Sequence, residues 1–286
     1  MSTAVPTRVA VIGGGRMGAG IAQVFLAAGA HVAVVEAGGQ AAEAARGRVA
    51  DGLEESARRG TLDGDVETVL SRLTLLETPA GLGRDTDLVI EAVPERADLK
   101  AEVLGAAAAA AGPAAVLATN TSSLSVTELA AALERPSRFL GMHFFNPVPA
   151  SRLVELVVAP ETDPVLVDAA RGWVRALGKT GIVVRDSPGF ASSRLGVLLG
   201  LEAIRVLEEG VADAEAIDTA MELGYRHPMG PLRSTDLVGL DVRLAIAEHL
   251  HRTLGERFAP PQLLRDKVAA GELGRKTGRG FHTYES

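Results

Sequence analysis

The chain of 286 residues contains no cysteine, which excludes disulfides, thiolate metal sites, redox dithiols and cysteine nucleophiles together. Aromatic residues make up only 3%, so the core has to be assembled mainly from Ala, Val and Leu. Positive charge is not in excess: 36 acidic side chains oppose 29 basic ones, the formal net charge is −7, and the basic residues are scattered. That balance argues against a nucleic-acid binder that works by neutralising phosphates. Long apolar runs are missing as well. The longest, Ala106 to Ala118, is alanine-rich, broken at Gly112-Pro113 and too short to span a bilayer. The apolar run Val9 to Ile12 stops at three glycines and gives no signal peptide, so the expected location is the cytoplasm. What remains is 47% hydrophobic and 23% charged, the composition of a globular chain with room for one large or two modest domains.

The first half alternates short β-branched runs with helical patterns. Strands are predicted at Arg8 to Ile12, His31 to Val35, Leu73 to Leu76, Asp87 to Glu91 and Ala115 to Ala118. Three more are expected around Arg138 to Met142, Leu153 to Val158 and Gly181 to Val184. Helices are predicted at Met17 to Ala28, across the long polar stretch Gln40 to Leu70, and at Asp98 to Ala111. This repetition implies βαβ units, hence a Rossmann-type α/β domain with a parallel sheet covered on both faces. The texture changes at Asp186-Ser187-Pro188-Gly189, where Ser187 reads as an N-cap with Pro188 at the first helical position. Beyond it only helical periodicity appears, at Phe190 to Glu209, Ala214 to Leu223, Ser234 to Leu254 and Pro261 to Ala270. The expected division is residues 1–186 as an α/β domain and 187–286 as an all-helical one.

Gly13-Gly14-Gly15-Arg16-Met17-Gly18 fits G-x-G-x-x-G, directly after a strand and directly before a helix. Gly13 can make the tight turn, Gly15 can let the backbone approach a pyrophosphate, and Gly18 allows close helix packing. The helix N-terminus offers free N–H groups to the phosphates. Glu36 ends the second strand eighteen residues past Gly18, where a carboxylate accepts hydrogen bonds from the adenosine ribose. It would repel a 2′-phosphate, and no Arg follows it until Arg46, so NAD is the expected cofactor in preference to NADP.

Four segments carry polar residues at strand ends: Glu91-Ala92-Val93-Pro94-Glu95, Asn120-Thr121-Ser122-Ser123, His143 to Pro147, and Leu153 to Leu156. Glu155 lies inside an apolar run, and a buried carboxylate demands a partner. His143, at the end of the preceding strand, is the nearest cation-capable candidate. Such a pair suits a general base that removes a proton from an alcohol, and equally a purely structural contact. Other patterns fail on spacing. Five residues separate Gly172 from Gly178-Lys179-Thr180 where a phosphate loop needs four, and His249 and His251 diverge on a helix, so no metal site is expected. There is no G-x-S-x-G elbow for a serine hydrolase.

These residues resemble the L-3-hydroxyacyl-CoA dehydrogenase family, its bacterial 3-hydroxybutyryl-CoA members above all. The resemblance rests on Val11 to Gly18, Asp87 to Glu95, Asn120 to Leu124, His143 to Pro149, Pro188 to Phe190, Pro228 to Pro231, Asp236 to Asp241 and Gly274 to Gly278, in that order along the whole chain. It implies reversible NAD-linked oxidation of an (S)-3-hydroxyacyl-CoA to the 3-ketoacyl-CoA. By the same resemblance His143 matches the general base, Glu155 its carboxylate partner, and Ser122 the hydroxyl that touches the substrate's C3 oxygen and the nicotinamide ribose. Gly13, Gly15, Met17, Gly18, Ala92, Glu95, Lys100, Asn120, Ser122, Asn146 and Lys276 match cofactor contacts, and Glu36 the ribose-binding acid. A homodimer paired through the helical domains and closing over acyl-CoA is also implied. Two departures stand out. Ser193 occupies a substrate-binding position where the family often has Asn, and the lysines that meet the CoA phosphates are replaced by arginines, of which Arg58 and Arg59 are the choice here. Relatives that act on free hydroxyacids, such as the L-gulonate 3-dehydrogenase and λ-crystallin group, would share the His–Glu pair without a CoA site. A non-catalytic NAD-binding protein would be expected to lose one of the pair.

Overall fold

The structure is a computed structural model, and it describes residues 4–285. The chain divides into two compact units, 1–186 and 187–286. In the first, chain order is β1 (Arg8–Ile12), α1 (Arg16–Ala27), β2 (His31–Val35), α2 (Gly39–Arg58), α3 (Val66–Leu70), β3 (Leu73–Leu76), β4 (Leu88–Glu91), α4 (Ala97–Ala110) and β5 (Val116–Thr119). There follow α5 (Val126–Ala131), β6 (Phe139–Phe144), β7 (Leu153–Val158), α6 (Pro164–Ala176) and β8 (Thr180–Arg185). The eight strands form one sheet in the order β3-β2-β1-β4-β5-β6-β7-β8. All neighbours run parallel except β6 and β7. Strand order reverses between β1 and β4, and in open α/β sheets the crevice beyond the strand ends at such a point is where ligands sit.

The shortage of aromatics shows in the core. Val9, Val11, Val32, Val34, Leu88 and Ile90 from the central strands pack with Ile21, Leu26 and Phe25 of α1. Because β4 and β5 are buried along their whole length, they read as continuous apolar runs instead of alternating ones.

The second unit is helical: α7 (Ser192–Glu208), α8 (Ala214–Thr219), α9 (Pro231–Val238), α10 (Leu240–Leu254) and α11 (Gln262–Ala269). Val197, Leu201 and Ile204 of α7 form its core with Leu232, Leu240, Leu250, Phe258 and Leu264. Two buried carboxylates stitch it together. Asp218 accepts from the Leu232 and Arg233 amides at 2.8 and 3.0 Å and meets His282 Nε2 at 2.8 Å. Asp236 accepts from the Phe281 and His282 amides and the Tyr284 hydroxyl, each at 2.9 Å. Burial and the facing Asp236 push the Tyr284 phenol up.

Three expectations are corrected. The long helix from Gln40 to Leu70 is two helices, because Gly60 and Gly64 both take positive φ between α2 and α3. The helix from Ser234 to Leu254 breaks at Gly239, whose φ is +103°. Ser187 and Pro188 do not start a helix: Gly189 and Phe190 turn the chain through φ of +74° and +50°, and α7 begins at Ser192. No helix among the described residues is long and apolar enough to cross a membrane.

Candidate active site

The glycine turn between β1 and α1 is tight for stated reasons. Gly13 has φ of +97°, and a side chain there would press on the Ala92 carbonyl; a Cβ on Gly18 would collide with the Gly13 carbonyl oxygen. Gly15 has nothing within 4 Å of where a Cβ would lie, so open space borders the turn at the position meant for a pyrophosphate. Met17 is half-buried in the first turn of α1. Glu36, at the end of β2, accepts from the Gly14 amide at 2.6 Å through Oε1. Its Oε2 has no protein partner among the described residues and is available to ribose hydroxyls. These residues fit a dinucleotide. The sequence offers Arg48 only as one of the arginines, with Arg46, Arg58, Arg59 and Arg72, available to the CoA phosphates; its contact here was missed, Nη1 donating to the Gly14 carbonyl at 3.0 Å from α2. The only signal was its place twelve residues past Glu36 on a helix that folds back over the turn.

His143 and Glu155 face one another because β6 and β7 are antiparallel with these two residues in register. Cross-strand partners in such a pair have side chains on the same face. Their contact is 2.8 Å, Nδ1 to Oε2, with Glu155 fully buried and His143 7% exposed. An ionised carboxylate only accepts, so this contact makes Nδ1 the donor and leaves Nε2 as the nitrogen turned away from Glu155. The Phe145 ring leans on the imidazole, with centroids 4.5 Å apart. Strand β6 runs two residues further than the sequence suggests, which brings His143 into the ladder.

The segment after β5 is fastened from two sides. Asn120 Oδ1 accepts from the Phe144 amide at 2.8 Å, tying it to the strand end beside His143. Glu95 Oε1 accepts from Thr121 Oγ1 at 2.5 Å, from the Ser122 and Ser123 amides at 3.0 and 3.1 Å, and from Ser123 Oγ at 3.0 Å. The Ser122 hydroxyl is held only loosely, at 3.5 Å. Burial works to raise the Glu95 carboxyl, but the Lys100 ammonium and the bonds from Thr121, Ser122 and Ser123 outweigh it and keep it below the usual range. Lys100 itself points inward, 2.7 Å from the fully buried Glu91 and 3.2 Å from Glu95.

Other sequence candidates are more scattered. Asn146 is exposed just past β6 and precedes Pro147 in a cis peptide bond. Arg58 and Arg59 both pair with Glu55 on the outer face of α2, largely in solvent. A cavity of about 310 Å³ lies beside this helix, lined by Gln23, Ser56, Thr61 and Lys179 among others; neither His143 nor Ser122 borders it. In the second unit Ser193 is half-buried in the first turn of α7, and its hydroxyl has no hydrogen-bond partner among the described residues. Lys276 meets Asp241 at 2.6 and 2.7 Å, and that contact holds the Asp241 carboxyl low. No cluster of metal-ligating side chains occurs among the described residues.

Residues 8–187 match the 3-hydroxyacyl-CoA dehydrogenase NAD binding domain, and residues 189–284 match the C-terminal domain of the same family. The 3-hydroxybutyryl-CoA dehydrogenase of Bradyrhizobium diazoefficiens is 41% identical over 283 residues, 98% of this chain and 96% of that one. The 3-hydroxybutyryl-CoA dehydrogenase of Mycobacterium tuberculosis is 42% identical over 288 residues, 99% of this chain and all of that one. Among solved structures, the (S)-3-hydroxybutyryl-CoA dehydrogenase PaaH1 of Ralstonia eutropha superposes with a TM-score of 0.93 at 40% identity, covering 98% of this chain and 100% of that one. The motifs, the sheet order and these relatives agree: the chain belongs to the 3-hydroxyacyl-CoA dehydrogenase family.

Proposed function

We propose that the chain catalyses reversible, NAD-dependent oxidation of (S)-3-hydroxyacyl-CoA to 3-ketoacyl-CoA, with the short-chain 3-hydroxybutyryl-CoA as its substrate. The observation that carries this reading is the buried His143–Glu155 pair at the ligand-binding end of the sheet. NAD, when bound, supplies the nicotinamide that accepts hydride from C3. Gly13, Gly15, Met17, Gly18 and Ala92 would hold the dinucleotide and Glu36 its ribose, with Glu95, Asn120, Ser122, Asn146 and Lys276 toward the reacting end.

His143 takes the substrate's hydroxyl proton on Nε2, the ring nitrogen that does not meet Glu155. Glu155 then balances the imidazolium without leaving its place, since Nδ1 keeps its proton throughout. Ser122, whose hydroxyl is barely engaged, donates to the C3 oxygen and orients it. Arg58 and Arg59 meet the CoA phosphates, exchanging Glu55 for a stronger anion.

The same reading makes the protein a cytoplasmic homodimer joined through the helical unit. Its support is the apolar surface there, including Leu195 at 68% exposure and Leu237 at 53%. Light scattering and cell fractionation test these two points. The enzymatic reading is tested by following NADH with acetoacetyl-CoA, longer 3-ketoacyl-CoAs and L-gulonate. Turnover confined to L-gulonate overturns it. Equal kcat/KM with NADPH would remove the role given to Glu36.

A further inference from the structure

Lys100 and Glu91 form an ion pair with essentially no exposure, at 1% and 0%. Every oxygen of Glu91 is used: Oε1 accepts from Lys100 Nζ and the Val93 amide, both at 2.7 Å, and Oε2 from Thr119 Oγ1 at 2.6 Å. Lys100 Nζ reaches three acceptors, Glu91, the Val93 carbonyl at 3.3 Å and Glu95 Oε2 at 3.2 Å. Its donors are therefore spent inside the protein. Removing the ammonium would leave Glu91 as an uncompensated buried charge, which is strongly unfavourable. Glu95 meanwhile uses its other oxygen on Thr121, Ser122 and Ser123.

We infer that Glu91 and Lys100 are positioning residues: the buried Lys100 ammonium locks the Glu95 carboxylate against the Ser122 and Ser123 amides and so sets the loop that carries Ser122. The relay joins the end of β4, the first turn of α4 and the segment after β5. Lys100 acts through Glu95 on the hydroxyl that orients the reacting oxygen. A carboxylate alone would not suffice. Glu95 is partly exposed, and without its cation it would relax toward water and release the two amides. The link to turnover rests on the dehydrogenase reading; the link to loop order does not.

Full-length Lys100→Met, Glu91→Gln and the double variant are compared with wild type by hydrogen exchange at the Ser122 and Ser123 amides, by kcat and KM with acetoacetyl-CoA, and by NADH titration. Loss of protection at these two amides is expected in each variant. With it should come a kcat loss of roughly 10–100-fold, the scale of a misplaced reacting group. The double variant should lose no more than the worse single one, because both act on one path. Removing both charges together also avoids a stranded buried carboxylate, so the double variant serves if Lys100→Met does not fold. Unchanged protection at Ser122 and Ser123 overturns the proposal. So does a Lys100→Met defect confined to NADH binding with Glu91→Gln like wild type. A wild-type protein inactive on acetoacetyl-CoA defeats the substrate assignment, and the exchange result still decides the relay.

Discussion

The two units bury charge for different ends. In the α/β unit, buried carboxylates sit on strands and meet other side chains: Glu155 inside β7 meets His143, and Glu91 at the end of β4 meets Lys100 and Thr119 besides the Val93 amide. In the helical unit, Asp218 and Asp236 accept mostly from backbone amides, of Leu232, Arg233, Phe281 and His282. A carboxylate saturated with amides has no capacity left for chemistry, and it fixes the chain's path. A carboxylate opposed to an imidazole instead orients the ring and selects which nitrogen faces it. Burial alone does not mark a functional acid, nor does an imidazole partner, since His282 meets Asp218 at 2.8 Å; place in the fold singles out the β6–β7 pair.

The largest effect should separate these roles. His143→Ala or His143→Gln is expected to lower kcat by about 10²–10⁴-fold with little change in NADH affinity, since it removes the proton acceptor. Glu155→Gln should be slow as well, with thermal melts to exclude unfolding. Near wild-type turnover in either would require a different base. Asp236→Ala should behave oppositely. It strands two amides and a hydroxyl, which amounts to about 2–4 kcal/mol of stability, read as a lower melting temperature. If Asp236→Ala melts like wild type, the amide-stitching account fails.

A smaller effect concerns Ser193. Ser193→Ala is expected to remove roughly 1–2 kcal/mol of transition-state stabilisation with acetoacetyl-CoA, the scale of one hydrogen bond, while NADH affinity holds. Kinetics of Ser193→Ala and Ser193→Asn check this, and an Ala variant identical to wild type removes Ser193 from the substrate site. The smallest has the opposite sign. Arg243 is 7% exposed, has no ion pair among the described residues, and burial pushes its pKa down to about 10. Replacing an unpaired buried cation by an apolar chain of similar length favours folding, so Arg243→Met should raise stability by about 1 kcal/mol. A lower melting temperature would mean that the guanidinium has a partner.

Acid tests the loop after β5 directly. Glu95 has its folded pKa below its ordinary value. Its contribution is therefore present above the unfolded value, roughly pH 4.3, and is lost as pH falls through the lower folded one. Protection at Ser122 and Ser123 should fall in that same window.

Much of the α/β unit is legible because its strands are short β-branched runs between glycine-rich turns, as in Arg8–Ile12 and His31–Val35. Glu155 is legible because a carboxylate inside an apolar strand is anomalous wherever it occurs. The helix breaks were not. Val238-Gly239-Leu240 keeps helical periodicity, and only the backbone angle at Gly239 reveals the break. Short α5 was hidden too, since six residues capped by Ser125 resemble a turn. The Glu91–Lys100–Glu95 relay joins residues that the sequence shows as separate charges, because nothing local says that the first turn of α4 lies over the end of β4. The Arg48 contact was missed for the same reason.

The antiparallel pairing of β6 and β7 gives the gene a reading frame of its own. Side chains along β7 alternate between faces, so the strand is read in twos, and Glu155 is in phase with His143. An in-frame deletion of one codon within β7 shifts the ladder by a single place. Val154 or Leu156 then stands opposite the imidazole, and the displaced carboxylate turns to the other face. A deletion of two codons restores the phase but brings up a different neighbour. Substitutions at Val154 and Leu156 are thus a matter of packing, whereas the length of the strand decides whether Glu155 faces His143 at all.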